Sequence, residues 1–314
     1  MKRTIVKIAT CENAPETKSR TWDVRTFSLF VGCLCLWAGA ITWGWAISPL
    51  LSMVFTVFAL VLHASLTHEI LHGHPFLNRR INDAMGLTQL GLLVPYLRFR
   101  DLHLAHHRDA RLTDPYDDPE TNYLDPEVWG NLPALHRAIL RGNNTLLGRM
   151  VLGPFLSQYV FMRDDLRAIR AGDRTVLRGW LLHMPGFMLV MTIVWIAHIP
   201  VWAYLIAVYV AMAVLRIRTF LEHRAHERVS GRTVIVEDTG VLAFLFLNNN
   251  LHVVHHMHPS VAWHRLPALY RSQKDRFQRR NDGYTYRSYA EIFGLYFWRS
   301  KDPVAHPLWR RGQR

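Results

Sequence analysis

Residues 47–72 read ISPLLSMVFTVFALVLHASLTHEILH, an apolar run that ends in two histidines four positions apart. The run contains no Asp, Glu, Lys or Arg before Glu69, and the uncharged stretch extends back as far as Thr26. A helix that crosses a bilayer needs about 20 apolar residues. The stretch is long enough for two such helices, and Ser48-Pro49 marks the turn between them. We therefore predict transmembrane helices at 27–47 and 50–67.

A second uncharged run lies between Gly179 and Leu215 and repeats this arrangement. His198-Ile199-Pro200 interrupts it, so helices are predicted at 180–198 and 201–219. A soluble protein with buried core helices is the alternative, and uncharged runs of this length argue against it. The predicted fold class is an all-α integral membrane protein with four transmembrane helices in two hairpins.

Positive charges are distributed unevenly along the chain, which carries 37 Lys and Arg against 24 Asp and Glu, a net charge of +13. Neither hairpin turn contains Lys or Arg, whereas both termini and the segments after the hairpins are rich in them. The positive-inside rule therefore places both termini and the segment between the hairpins in the cytoplasm, for a protein of a bacterial-type inner membrane. This basic face suits anionic lipid headgroups or an acidic protein partner, and membrane embedding argues against nucleic acid.

The organisation of the chain is simple. We expect one domain over residues 1–314, with peripheral cytoplasmic tails at 1–22 and 300–314, because no repeat or low-complexity linker divides it. Cys11, Cys33 and Cys35 are its three cysteines, and two of them lie within the first predicted helix. They suggest neither a disulfide framework nor a cysteine metal site.

Histidine is the most unevenly used residue type, because twelve of the eighteen histidines fall in four short stretches. Two stretches continue the second and fourth predicted helices out of the membrane, and the other two lie in the segments that follow the hairpins. All four are therefore expected at the cytoplasmic rim, in a histidine-rich cap. The four stretches contain His68, His72 and His74; His103, His106 and His107; His223 and His226; and His252, His255, His256 and His258.

The spacing within these stretches is that of helix faces. HEILH (68–72) has histidines at i and i+4, while HLAHH (103–107) and HVVHH (252–256) have them at i, i+3 and i+4. Such positions share one face of a helix, so the three motifs can surround a common point. Neutral imidazole binds iron, zinc or copper. Because one metal cannot use eight or nine imidazoles, the pattern predicts a site for two metals.

Other metal proteins explain less of the pattern. HEILH alone matches zinc metalloproteases, but it supplies two of the three ligands that they need, and the later spans contain no aspartate. Glu69-x-x-His72 occurs once, whereas soluble carboxylate-bridged di-iron bundles need that motif twice. A membrane haem protein would use His63 and His183, which do not pair with the clusters. A metal transporter or binder would need acidic residues within the spans, and there are none.

The three motifs, in this order and with this topology, resemble the membrane fatty-acid desaturase superfamily, which includes alkyl hydroxylases and carotenoid ketolases. The family's boxes read HxxxH, HxxHH and HxxHH. RTFLEHRAH (218–226) and HPSVAWHRLP (258–267) extend the similarity, which covers roughly residues 30–270. The resemblance implies four spans under a cytoplasmic cap and two iron ions bound almost wholly by histidine.

Carried over position by position, the resemblance implies a set of nine iron ligands and assigns no catalytic residue beyond the metal site. His223 is the expected ninth ligand after the fourth span, with His226 as runner-up. An asparagine that reaches iron through water would be Asn248, Asn249 or Asn250. The expected ligands are His68, His72, His103, His106, His107, His223, His252, His255 and His256.

Several polar residues near the boxes are expected to orient ligands or to build the cap. Glu69, Asp109 and Glu222 are candidate hydrogen-bond partners of site imidazoles. The loop LTDPYDDPE (112–120) is either a polar turn or a brace for the second box through Asp114 or Asp117. His258 and His264 are expected in the cap, and His74 either ends a helix or supports the site.

This set of residues predicts O2-dependent oxidation of an unactivated C–H bond in a lipid acyl chain, most directly desaturation. Hydroxylation or carotenoid ketolation by the same fold is the alternative, and an intramembrane zinc metalloprotease or a metal transporter or binder is the alternative from another class. The chain contains no cytochrome-like domain, flavin motif or ferredoxin cysteine set. Electrons would therefore come from a separate donor such as a ferredoxin.

Overall fold

The computed structural model describes residues 22–107 and 112–309. Within these residues, four helices are long and apolar enough to cross a membrane, which confirms the predicted fold class. We call them spans 1 to 4. Their bounds are Val24–Ile47, Pro49–Leu71, Arg174–Ile196 and Val201–Thr219. Spans 2 and 3 are longer than predicted at their cap ends, because a few polar residues continue each helix beyond its uncharged part.

Local sequence explains where the spans begin. Asp23 accepts a hydrogen bond from Thr26 N at the start of span 1. Ser48 caps span 2, and Pro49 occupies its first turn, where a missing N–H costs nothing. Asp173 accepts from the first backbone N–H groups of span 3. Span 1 includes a π-helical turn, Ala40–Gly44. Each hairpin therefore turns where a capping residue or a proline follows the apolar run.

Span 2 is the central helix of the bundle and packs against spans 1 and 4. Buried polar contacts join the spans as well as apolar packing. Cys33 Sγ lies 3.2 Å from Ala59 O, linking spans 1 and 2. Trp37 Nε1 donates to Tyr204 Oη at 3.0 Å, linking spans 1 and 4. Large apolar side chains such as Leu50 and Trp195 point outward, as expected of a surface that faces lipid.

Most of the remaining described residues form the cap, defined here as 72–86, 96–107, 112–173 and 220–309. It contains short helices and one two-stranded parallel sheet, a small exception to the all-helical prediction, in which Ile235–Val236 pairs with Thr285–Tyr286. Both residues of the first strand are buried, as suits β-branched side chains. The cap helices are Arg79–Gly86, Tyr96–His106, Pro126–Asn131, Ala134–Asn143, Leu146–Val151, Gly153–Arg170, Val241–Leu245, His252–Met257, Leu266–Ser272, Lys274–Arg280 and Tyr289–Tyr296, with 3-10 turns at Val229–Arg232 and Trp263–Arg265.

Residues 300–309, which were assigned from sequence to a peripheral tail, pack against the cap. Leu124 N donates to Val304 O at 2.9 Å, and His306 N donates back to Leu124 O at 2.8 Å. Lys301 Nζ donates to the backbone oxygen of His223 at 2.7 Å. Polar composition predicts an exposed segment, but here backbone pairing and one buried ammonium group hold it in place. Residues 1–21 and 310–314 of the expected tails lie outside the described residues.

Candidate metal centre

Every histidine box stands at or beside a helix end where the spans meet the cap. His68 lies in the last turn of span 2, and His72 is its C-terminal cap. The helix Tyr96–His106, which we call the second-box helix, ends at its own histidines. The third box opens the helix His252–Met257. His223 follows the end of span 4. The four segments converge because spans 2 and 4 pack together and deliver their histidines to the same end.

The nine histidines expected to be ligands come together in two groups. In each group the nearest ring nitrogens all lie within 4.8 Å of one another. The runner-up His226 belongs to neither. Its Nε2 lies 3.0 Å from Asp282 Oδ2 instead. Group 1 contains His68, His72, His103, His107 and His255, and group 2 contains His106, His223, His252 and His256.

The two HxxHH boxes divide between the groups in the same way. The first and last histidines of a box share a group, while the middle histidine belongs to the other. His103 and His107 are in group 1 and His106 in group 2; His255 is in group 1, apart from its box partners. Successive helical residues are about 100° apart, so positions i+3 and i+4 diverge although both lie near position i. The histidines of each triplet are therefore shared between the two groups, which is consistent with the predicted site for two metals.

The ring nitrogens within each group are as close as ligands of one metal. In group 1, Nε2 of His103 lies 3.0 Å from Nε2 of His68 and 2.9 Å from Nε2 of His107. In group 2, Nε2 of His223 lies 2.9 Å from Nε2 of His106 and 3.3 Å from Nε2 of His252. Nitrogens about 2.1 Å from a metal would be separated by about 3.0–3.4 Å. Both groups therefore fit a transition-metal ion.

A buried imidazole nitrogen without a hydrogen-bond partner also indicates a metal site. Nε2 of His72 is buried and has no hydrogen-bond partner among the described residues. A buried polar atom without a partner is costly, and a metal bond would satisfy it. The two groups are adjacent, since the rings of His107 and His256 stack with centroids 4.2 Å apart. The arrangement can therefore hold two neighbouring ions through nitrogen alone.

Two carboxylates orient the second box. Asp118 Oδ1 accepts from His106 Nδ1 at 2.7 Å, and Glu120 Oε1 accepts from His103 Nδ1 at 2.9 Å. Each contact fixes a proton on Nδ1 and leaves the Nε2 lone pair for a metal. The sequence indicated this loop as a polar turn or a brace and suggested Asp114 or Asp117 for the brace, not Asp118 and Glu120. Asp114 instead accepts hydrogen bonds from two backbone N–H groups of its own turn.

The third box is oriented by an amide. Asn249 Oδ1 accepts from His252 Nδ1 at 2.9 Å, so it is the asparagine of the three candidates that meets a site histidine. Asn248 donates to Trp263 O, and Asn250 donates to Val236 O. The sequence NNNLH could not show which asparagine this would be, because the three adjacent side chains point in different directions.

The other expected support residues have mixed outcomes. Glu222 Oε1 lies 3.8 Å from His252 Nδ1, which is too far for a hydrogen bond. Glu69 accepts from Trp263 N at 3.1 Å, so it links span 2 to the segment after the third box. Asp109 lies outside the described residues.

The remaining histidines stand apart from both groups. His74 Nδ1 lies 3.6 Å from Asp23 Oδ2, and His264 Nε2 lies 3.3 Å from Asp23 Oδ1, so both tie the start of span 1 to the cap. His258 packs against Phe277 in the cap. His63 packs against Phe30 within the spans.

Charge around the site favours cations. Burial opposes charging of His106, but Glu120 and Asp118 outweigh it and raise the pKa of His106 to about 9. Burial and neighbouring imidazoles hold the pKa values of His107, His223 and His252 below their usual range, so these rings stay neutral. Neutral rings are available as ligands, and the carboxylates that favour a proton on His106 equally favour a metal ion there.

Comparison with known proteins agrees with this geometry. The "Fatty acid desaturase" family model matches residues 42–288, which contain every member of both groups. A β-carotene ketolase of Paracoccus sp. (strain N81106 / MBIC 01143) is 26% identical over 213 residues, or 65% of this chain and 71% of the ketolase. The chain belongs to the fatty acid desaturase family. It is an oxidoreductase of the desaturase and hydroxylase superfamily, and its histidine groups are compatible with iron.

Proposed function

We propose that this protein binds two iron ions and uses dioxygen to oxidise an unactivated C–H bond in a lipid acyl chain, with desaturation as its main reaction. The observation that carries the proposal is the pair of adjacent all-histidine groups where the four apolar spans meet the cap. Two irons held by neutral imidazoles would supply dioxygen activation after two-electron reduction. Chain residues hold, orient and shield that centre.

An acyl chain is the favoured substrate because the histidine groups lie where the apolar spans meet the cap. Phe244, on the helix Val241–Leu245, is partly exposed. Its ring centroid lies 6.5 Å from that of Phe58 in span 2 and 6.3 Å from that of Trp263. Trp263 N in turn donates to Glu69, the residue after His68. This line of aromatic side chains connects the lipid-facing surface to the first box. An apolar chain could follow it without exposing the reacting carbon to water.

The two electrons would come from a separate carrier on the cytoplasmic side. The net charge of +13 favours an acidic protein such as a ferredoxin, because opposite charge speeds encounter and fixes orientation. We propose that the metal centre and both termini lie on the cytoplasmic side, because arginine and lysine are absent from the two hairpin turns and concentrated in the other segments.

Ketolation or hydroxylation is the second candidate. The similarity to a β-carotene ketolase favours it, together with the WHRLP segment that follows the third box. Both outcomes need the same metal ligands, because they differ in whether a second hydrogen is lost or oxygen is returned to the carbon. The ligand set therefore cannot separate them, and the product must.

The test is to express the parent and a His68→Ala variant in a bacterial host that makes both acyl lipids and β-carotene. Lipids and pigments are then compared by mass spectrometry. A double bond formed only with the parent supports desaturation, and an added oxygen on an acyl chain or a carotenoid supports the second candidate. About two irons per purified chain are expected. One bound zinc with no oxidised product would favour the metalloprotease interpretation instead.

A further inference from the structure

A non-helical loop, residues 87–95, enters the membrane-spanning bundle. It joins the helix Arg79–Gly86 to the second-box helix. Leu90 and Leu92 of this loop are 2% and 3% exposed and belong to the same apolar core as the spans. Irregular backbone at this depth is tolerated only where its polar groups are satisfied by protein. The carbonyl oxygens of the loop therefore need hydrogen-bond donors from the neighbouring helices.

Three side chains from three helices donate hydrogen bonds to carbonyl oxygens of this loop. Tyr204 Oη of span 4 donates to Leu90 O at 2.8 Å and itself accepts from Trp37. His183 of span 3 lies with Nε2 2.7 Å from Leu92 O; since a carbonyl only accepts, Nε2 is the donor. Gln158 Nε2, on the helix Gly153–Arg170, donates to Leu93 O at 2.8 Å. The intramembrane histidine and tyrosine thus hold a backbone segment in place.

The loop lies well below the metal centre. His183 is about two and a half turns into span 3, or about 14 Å from its cap end at a rise of 1.5 Å per residue. Span 3 also makes room for the loop, because a Cβ on Gly186 would overlap the carbonyl oxygen of Leu87. Leu92 adopts a φ of 62°, which a leucine accepts only when its surroundings impose it. The loop is therefore held in one position.

The second-box helix begins directly after this loop and carries the box at its other end. It has 11 residues, Tyr96–His106, and its histidines belong to both metal groups. An α-helix transmits a displacement of one end to the other. Ligand atoms must stay within about 0.2 Å of their proper distance, so small movements of the loop matter to metal binding.

We propose that His183 and Tyr204 are positioning residues, which fix the second-box histidines for both metals by holding loop 87–95 from within the membrane. Within the described part of the chain, neither side chain touches a histidine of either group. They act through the loop carbonyls, so what matters is a hydrogen-bond donor at each place. The inference rests on the proposed function only in assuming that the two groups bind metal.

Donor-matched variants test it. His183→Gln keeps an N–H donor, whereas His183→Met keeps bulk without one, and Tyr204→Phe removes only a hydroxyl. Tyr209→Phe is the control, since it removes a hydroxyl from the same span whose partner is Val151 O. Each purified protein is titrated with Co²⁺ in detergent and followed by visible absorption, and thermal unfolding is measured in parallel on the metal-free forms.

His183→Met and Tyr204→Phe should bind Co²⁺ about tenfold more weakly than the parent, the lower end of the loss that follows when a group orienting a metal ligand is changed. His183→Gln and Tyr209→Phe should bind like the parent. Unchanged Co²⁺ affinity in both donor-less variants overturns the proposal, as does equal weakening by His183→Gln and His183→Met. If His183→Met does not purify, Tyr204→Phe alone carries the test. If the variants change Co²⁺ affinity as expected but the parent forms no oxidised lipid, the proposed function is rejected and this inference still stands.

Discussion

Asp118 and His106 are joined by a 2.7 Å contact between Oδ1 and Nδ1, with side chains that are 2% and 1% exposed. Asp118 is held in turn, because its Oδ2 accepts from Thr113 N at 2.8 Å. The carboxylate therefore cannot turn away from the ring without losing a second hydrogen bond. This fixes the plane of the imidazole and the proton on Nδ1, and it points Nε2 into group 2.

The first prediction concerns this carboxylate. Asp118→Asn keeps an oxygen that can accept from Nδ1 but removes the negative charge that supports a cation in group 2, and it also removes the oxygen that accepts from Thr113 N. We expect about a 10- to 100-fold loss of metal affinity, the range measured when partners behind metal ligands are changed. Iron per chain after gel filtration and Co²⁺ titration would measure it.

Asp114→Asn is the matched control, because Asp114 is in the same loop and accepts hydrogen bonds from backbone groups of its turn. It should retain metal and activity. If both asparagine variants hold metal equally well, the charge of Asp118 has no role in the site.

The limits of sequence reasoning are visible in these two aspartates. Four spans could be predicted because an uncharged run such as Thr26–His68 has few uses outside a membrane. The boxes could be predicted because helical spacing places histidines near one another. The choice of Asp118 over Asp114 could not, because it depends on how a turn of the loop 112–120 folds back on the box. The division of each box between two groups likewise needs the helix orientations.

The second prediction concerns the C-terminal segment, whose packing the sequence did not suggest. Lys301 Nζ is buried and donates to His223 O at 2.7 Å and to Asp302 at 2.6 Å. Lys301→Met removes these two contacts and a third one, to Tyr284 Oη at 3.2 Å. We expect a loss of about 2 kcal/mol in stability, since the charge-assisted hydrogen bond to His223 O is lost. A lower thermal midpoint in detergent and lower iron retention would measure it.

Lys274→Met is the control for charge removal. Lys274 pairs with Glu237 at 2.6 Å, but its side chain is 48% exposed, and pairs of this kind contribute little. It should unfold like the parent. If both methionine variants have the thermal midpoint of the parent, residues 300–309 do not support the site.

The third prediction concerns sidedness. Arginine and lysine are absent from both hairpin turns, so Pro49 and Ile199 should lie on the opposite side of the membrane from the cap. Phosphatase and fluorescent-protein fusions at Pro49, Ile199 and Arg314 in a bacterial host would report the side of each point. Phosphatase activity is expected at the first two and fluorescence at the last. Phosphatase activity at Arg314 would reverse the proposed orientation of the metal centre.

The last prediction separates the two histidines that follow span 4. His223 Nε2 lies 2.9 Å from His106 Nε2 inside group 2, whereas His226 binds Asp282 on the cap surface. His223→Ala should therefore give an expressed, membrane-inserted protein that forms no product and holds about one iron instead of two. His226→Ala, the matched control three residues away, should keep its iron and most of its activity. Full product formation and full iron content in His223→Ala would remove it from the ligand set. If His226→Ala were then the inactive variant, the ninth ligand would lie three residues further along the chain.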